Sequence, residues 1–246
     1  MNELKIEDLT CYRGENLVLK DLNTKLKSGE TLVIRGKNGS GKTTLLRVLS
    51  NFIKSYNGKI LFNDQNIIED ANYRYFFNFV GQKNSLKDNL SVKNNLKLWE
   101  IIYQKNISYS KLLEDFNMSH LVERDVASLS DGQKKCISLL RLNFTESKIW
   151  YLDEPFVFLD EENSQILIQK IKNFNTNNGI VIITSNINLQ NTFTNEIIFS
   201  SSKKISPSFR LINSPGILTQ FCLPDAIILA YLSNIIYHLE LHLLRL

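Results

Sequence analysis

Cysteine is scarce in this chain. Cys11, Cys136 and Cys222 are the full complement in 246 residues, an odd and widely spaced set without a C-x-x-C pair. That pattern argues against a disulfide framework and against a zinc site, and it suits a reducing compartment. An apolar leader is missing too: Met1 to Thr10 alternates charged with apolar residues, so no secretory signal is expected. A confident membrane span is also lacking. The most apolar stretch, residues 226–246, is interrupted by Asn234, His238, Glu240, His242 and Arg245, whereas a spanning helix needs roughly twenty mostly apolar residues. Nor is charge of one sign concentrated. The net charge is +4 with Lys and Arg spread along the chain, which describes a solvated surface and implies no nucleic-acid partner. No internal repeat is present.

What is present suffices for a real core. Apolar residues make up 43% of the chain, ordinary for a globular protein, and the length fits one large domain or one domain with an appendage. Two strand-like runs, residues 4–9 and 17–26, flank Tyr12-Arg13-Gly14-Glu15-Asn16, which reads as a turn. Further strands are expected at residues 31–34, 59–62, 77–80, 149–152 and 180–183. Helices are expected at 42–49, from Val92 to about Leu121, after Asp131, and at 161–174. Strands alternating with helices imply an α/β domain with a mostly parallel core sheet. A boundary is expected near Ser200, where a polar run begins and two of the four prolines follow by Pro215. Residues 1–200 are therefore read as the main domain and 201–246 as an extension, partly helical or poorly ordered. His238 and His242 lie four apart in it, but two histidines without further ligands are usually ordinary surface residues.

Gly36-Lys37-Asn38-Gly39-Ser40-Gly41-Lys42-Thr43, followed by Thr44, is a complete G-x-x-x-x-G-K-[ST] phosphate loop between a strand and a helix. Its glycines let backbone N–H groups approach phosphate oxygens, and the helix adds its positive N-terminal end. Lys42 is expected on the β- and γ-phosphates of ATP, and the Thr43 hydroxyl on Mg²⁺. Ile149-Trp150-Tyr151-Leu152-Asp153-Glu154 is an apolar strand ending in a carboxylate pair. Asp153 is expected to hold Mg²⁺ and Glu154 to orient or deprotonate the attacking water. In isolation such a pair is also a common surface feature.

Leu129-Ser130-Asp131-Gly132-Gln133, read alone, is a turn with a helix cap. Lying between the phosphate loop and the Asp-Glu strand end, it resembles the LSGGQ signature of ATP-binding cassette proteins. That resemblance spans about residues 1–200. It implies a P-loop fold of this ATPase type, with an antiparallel β subdomain and a helical signature subdomain beside the parallel sheet. It further implies a head-to-tail homodimer in which Ser130, Gly132 and Gln133 bind the γ-phosphate held by the opposite copy. Tyr12 resembles the aromatic that stacks on adenine, though by itself it is equally a surface tyrosine. Gln82 resembles the loop glutamine that touches Mg²⁺ and water. Leu159-Asp160 resembles the loop that crosses the dimer seam, and Asn186 stands where the family usually has its switch histidine.

Two departures bear on rate. Asp131 replaces a small residue and brings a carboxylate near the expected γ-phosphate. The Asn186 amide can donate a hydrogen bond but cannot carry a proton or a charge. Within the family, Gly81-Gln82-Lys83-Asn84-Ser85-Leu86-Lys87 followed by Leu90-Ser91 and Asn95-Leu96, then Ser130-Asp131-Gly132-Gln133-Lys134-Lys135, and Ile149-Trp150-Tyr151-Leu152-Asp153-Glu154-Pro155-Phe156 resemble the ATP-binding subunit of haem exporters used in cytochrome c maturation. Gln82 departs from the histidine expected there. The resemblance implies a peripheral protein docked on integral membrane subunits, at the cytoplasmic face of the inner membrane or the mitochondrial matrix face. Hydrolysis would there release a haem-loaded chaperone. The alternative is an ATP-clamped regulatory or binding module with little turnover.

Overall fold

The computed structural model describes residues 1–199 except 14, 15, 55, 187, 188, 190, 191 and 194. The expected boundary near Ser200, the extension and its two histidines therefore lie outside the described residues.

Two sheets organise the chain. The larger is a five-stranded parallel sheet built from β3 (Thr31–Gly36), β6 (Phe77–Val80), β7 (Ile149–Asp153), β8 (Ile180–Ser185) and β9 (Asn195–Phe199), in the order β6-β7-β8-β3-β9. The smaller is antiparallel, from β1 (Glu3–Arg13), β2 (Asn16–Lys27), β4 (Tyr56–Phe62) and β5 (Gln65–Asn66), in the order β2-β1-β4-β5.

The near-continuous apolar runs of the parallel strands follow from burial on both faces. Side chains alternate across the sheet. Leu32, Ile34, Ile149, Tyr151, Ile180 and Ile182 enter one core, shared with the small sheet and α1 (Lys42–Leu49). Val33, Trp150, Leu152, Val181 and Ile183 enter the other. That second core is closed by α2 (Val92–Tyr103), α3 (Tyr109–Glu114), α4 (Asp131–Leu139) and α5 (Glu161–Thr176). The phosphate-loop helix and the signature helix thus pack against opposite faces of one sheet.

Several expected boundaries move. Tyr12, Arg13 and Asn16 are not turn residues, because Tyr12 pairs with Leu17 and Arg13 with Asn16 in the β1–β2 ladder. The helical span expected from Val92 to Leu121 is broken. Gln104 ends α2 in the left-handed region, and α3 and a short 3-10 turn at Ser119–Leu121 follow. Apolar spacing identified only part of the buried face, since Val92 and Leu96 are buried but Ile101 and Ile102 are exposed and Trp99 is buried instead, and it carried no information on where the chain reverses. The short β5 and the edge strand β9 were not anticipated.

Register positions the site. Asp153 pairs with Thr184, and Ile34 and Arg35 pair with Thr184 and Ser185. The carboxyl ends of β6, β7, β8 and β3 therefore stand side by side. They deliver Gly81-Gln82, Asp153-Glu154, Asn186 and the phosphate loop in a row, the crevice where open α/β sheets bind ligands. The other end of α1 is anchored as well. The Tyr73 and Tyr151 hydroxyls, 2.6 Å apart, both donate to the Leu49 carbonyl, at 2.9 and 2.8 Å.

Candidate functional site

The loop from Gly36 to Lys42 turns on glycine. Gly39 and Gly41 adopt φ of +78° and +101°, the left-handed region that L side chains resist. Gly41 is the N-cap of α1, and no side chain caps that helix end. The end of the helix is thus open to an anion. Ser40 is buried, and its hydroxyl finds no hydrogen-bond partner among the described residues. An orphaned buried hydroxyl beside an uncapped helix N-terminus fits a phosphate-bearing ligand.

Lys42 is buried and bound from several sides. Its ammonium donates to the Gly36 carbonyl at 2.6 Å, the Lys37 carbonyl at 3.3 Å and the Asn186 side-chain oxygen at 2.7 Å. It also lies 3.1 Å from Glu154 Oε1, in an ion pair with both side chains under a tenth exposed. That oxygen receives no hydrogen bond of good geometry, so the contact is mainly electrostatic. Asn186 completes a bridge. Its amide donates to Asn38 Oδ1 at 2.6 Å, and its backbone N–H donates to Glu154 Oε2 at 3.2 Å.

Asp153 ends β7 at 2% exposure. Both of its oxygens accept from the Thr43 hydroxyl at 3.0 Å, and Oδ1 also accepts from the Thr184 hydroxyl at 2.6 Å. A threonine hydroxyl against a carboxylate is a hard oxygen donor set, and it fits Mg²⁺, which takes one or two protein oxygens and leaves the rest to water and phosphate. Glu154 has φ of +47°, a left-handed conformation that costs a non-glycine residue about 1–3 kcal/mol and collects at functional sites. It is held there by its own N–H, which donates to the Thr184 hydroxyl at 2.9 Å and the Thr184 carbonyl at 3.2 Å.

Other expected site residues sit apart from this cluster. Ser130 and Gln133 form a capping box on α4: the Ser130 hydroxyl accepts from the Gln133 N–H at 3.2 Å, and the Gln133 side chain accepts from the Ser130 N–H at 3.0 Å. Asp131 opens that helix, exposed in its first turn, where a carboxylate favours the helix dipole. Gly132 is required by close approach, since a Cβ there would lie 2.7 Å from the Phe158 carbonyl oxygen. Asp160 caps α5, accepting from the Asn163 N–H at 2.8 Å. Tyr12 is half-buried in β1 and Thr44 half-buried in α1. Gln82 is exposed just beyond Gly81 and makes no hydrogen bond among the described residues.

Two residues of the cluster were missed from sequence. Thr184 holds Asp153 and the Glu154 backbone together. A polar residue near the end of an otherwise apolar buried strand was the available signal. Lys135 is 1% exposed on α4. Burial pushes its pKa down to about 8, opposed by the charges of Asp153 and Glu154. In the sequence it closes the segment Ser130-Asp131-Gly132-Gln133-Lys134-Lys135, where nothing sets it apart from Lys134.

A phosphate loop at the end of β3 beside an Asp-Glu strand end is the arrangement of a P-loop nucleotide enzyme. A family model described as ABC transporter matches residues 19–157, and the chain belongs to that family. The ABC transporter I family member 1 of Arabidopsis thaliana is 33% identical over 187 residues, 75% of this chain and 82% of the relative. The cytochrome c biogenesis ATP-binding export protein CcmA of Pasteurella multocida is 31% identical over 205 residues, 82% of this chain and 96% of that protein. A solved ATP-binding subunit of an ABC transporter superposes with a TM-score of 0.70 at 20% identity, covering 79% of this chain and 85% of that one. This last likeness shows the shared fold. The relatives named for cytochrome c biogenesis come from bacteria, so the expected mitochondrial placement finds no support in them.

Proposed function

We propose that this chain is the ATP-hydrolysing subunit of a membrane transport complex, and that the complex serves haem export or release of a haem-loaded chaperone in cytochrome c maturation. The observation that carries the first half is the joined cluster of Lys42, Thr43, Asp153 and Glu154 at adjacent strand ends. The second half is supported by 31–34% identity to proteins named for cytochrome c biogenesis, over most of the chain.

ATP enters a loop whose lysine is already held by neutral carbonyls, an amide and a carboxylate. Lys42 exchanges Glu154 for the β- and γ-phosphates, a stronger charge-assisted partner. The exchange frees Glu154 to accept a proton from, or orient, the attacking water. Backbone N–H groups of residues 36–44, with Ser40, complete the phosphate cradle. Thr43 and Asp153 would hold Mg²⁺, with Gln82 as a further contact; the ion would neutralise developing phosphate charge when bound. Tyr12 stacks on the base. Ser130, Gly132 and Gln133 close over the γ-phosphate of a second copy, with Asp160 at the seam, and Asn186 stands beside the leaving phosphate. Residues 1–200 form this nucleotide-binding domain and 201–246 an extension.

The working assembly is a homodimer docked on integral membrane subunits at the cytoplasmic face of the inner membrane. Among the described residues no helix is long and apolar enough to cross a membrane. Asn186 favours a second reading, an ATP-clamped module of low turnover, because its side chain bridges Lys42 and Asn38 without a titratable group. Steady-state ATPase activity of the purified chain with Mg²⁺ separates the two. Turnover supports the motor; tight ATP binding without turnover, also in the presence of candidate membrane subunits, overturns it. Failure to co-purify with any membrane fraction would remove the transport assignment.

A further inference from the structure

Lys135 is a buried cation that the phosphate-binding scheme does not use. It lies in the second turn of α4, 1% exposed. The hydrogen bond described for its ammonium is a long one, 3.5 Å to the Gly81 carbonyl. Taking an ammonium out of water costs several kcal/mol unless the group is well paired. A methionine of similar length would fill the same space without that cost. Stability alone therefore gives no reason for a lysine here.

Its surroundings give one. Gly81 follows β6 directly and precedes Gln82, while Asp153 and Glu154 are the negative charges Lys135 feels. Two pieces of the site meet at this side chain, the signature helix and the segment that carries Gln82, and the charges of Asp153 and Glu154 act on it from the end of β7. Glu154 also has an ion-pair partner in Lys42, but that partner is the one a bound phosphate withdraws. Once Lys42 turns to the nucleotide, Lys135 remains, among the described residues, a buried cation whose charge Asp153 and Glu154 act upon.

We propose that Lys135 is a positioning residue for hydrolysis: its buried ammonium, seated on the Gly81 carbonyl, holds the segment that carries Gln82 in working register for the attack of water. The proposal rests on the ATPase reading above. It assigns Lys135 no contact with nucleotide, so its effect falls on turnover and not on affinity.

The test compares Lys135→Met and Lys135→Arg with the native full-length chain. Steady-state kcat with Mg²⁺ and ATP, equilibrium affinity for ADP with Mg²⁺ by calorimetry, and Tm are measured for each. For Lys135→Met the expectation is a fall in kcat of about tenfold or more, ADP affinity within about twofold of native, and a Tm unchanged or higher because a buried charge is gone. Lys135→Arg, which keeps the charge, recovers much of the rate. A purely structural lysine would give the reverse pattern, with Tm, affinity and kcat falling together, and that result overturns the proposal. Unchanged kcat in Lys135→Met overturns it as well. Should Lys135→Arg fail to fold, the split between kcat and affinity in Lys135→Met decides by itself. Absence of turnover in the native chain would sink the ATPase reading, and the inference with it.

Discussion

Thr184 offers the sharpest check on how the site is built. Its hydroxyl is fully buried, donates to Asp153 Oδ1 at 2.6 Å and accepts the Glu154 N–H at 2.9 Å. Thr184→Val removes both bonds with almost no change of shape, so neither a cavity nor a clash enters the outcome. A hydrogen bond to a charged group contributes about 1.5–3 kcal/mol. The bond from Glu154 N–H is partly replaced by the Thr184 carbonyl at 3.2 Å. Asp153 keeps its contacts with Thr43 but loses its shorter partner. The variant is therefore expected to unfold in urea with about 2 kcal/mol less stability, and to melt roughly 5 °C lower. Turnover is expected to drop about tenfold, because the left-handed Glu154 loses the shorter of the two hydrogen bonds at its backbone N–H. Thr184→Ser, which keeps the hydroxyl, should behave nearly as the native chain in rate. A Thr184→Val protein within about 0.5 kcal/mol of native stability and with native kcat would refute the view that this hydroxyl organises the carboxylate pair.

Glu154→Gln is expected to keep ATP binding, lower hydrolysis by at least about a hundredfold and shift the chain to a dimer on size-exclusion chromatography with Mg²⁺ and ATP; undiminished turnover would exclude Glu154 as the base. Gly132→Ala should cost about 1–3 kcal/mol in thermal or chemical denaturation, since its Cβ meets the Phe158 carbonyl at 2.7 Å; a neutral result would mean that this loop yields freely. Asn186→His should raise kcat several-fold, because an imidazolium brings a charge to phosphate that an amide lacks. A rate at or below native would show that the bridge from Asn186 to Lys42 and Asn38 is itself the working arrangement.

The local pattern of residues was enough for the phosphate loop, the Asp153-Glu154 strand end and the cap at Ser130, because each is a contiguous segment whose backbone chemistry is settled within a few residues. Glycine at 39 and 41 permits one kind of turn, and Ser130 three residues before Gln133 closes a capping box wherever the helix lies. Apolar runs likewise announced the buried strands. Tertiary structure decided what depends on register and on which face an element turns. The sequence placed Thr184 and Asp153 on separate strands, and only their pairing in the parallel sheet brings the hydroxyl onto the carboxylate. Lys134 and Lys135 are neighbours of one residue type, yet the first makes an ion pair with Asp88 while the second is sealed inside against the Gly81 carbonyl. A helix turns each successive residue by about a hundred degrees, so adjacent identical side chains meet different surroundings. Which of two lysines becomes chemistry is settled by the surface the helix packs against.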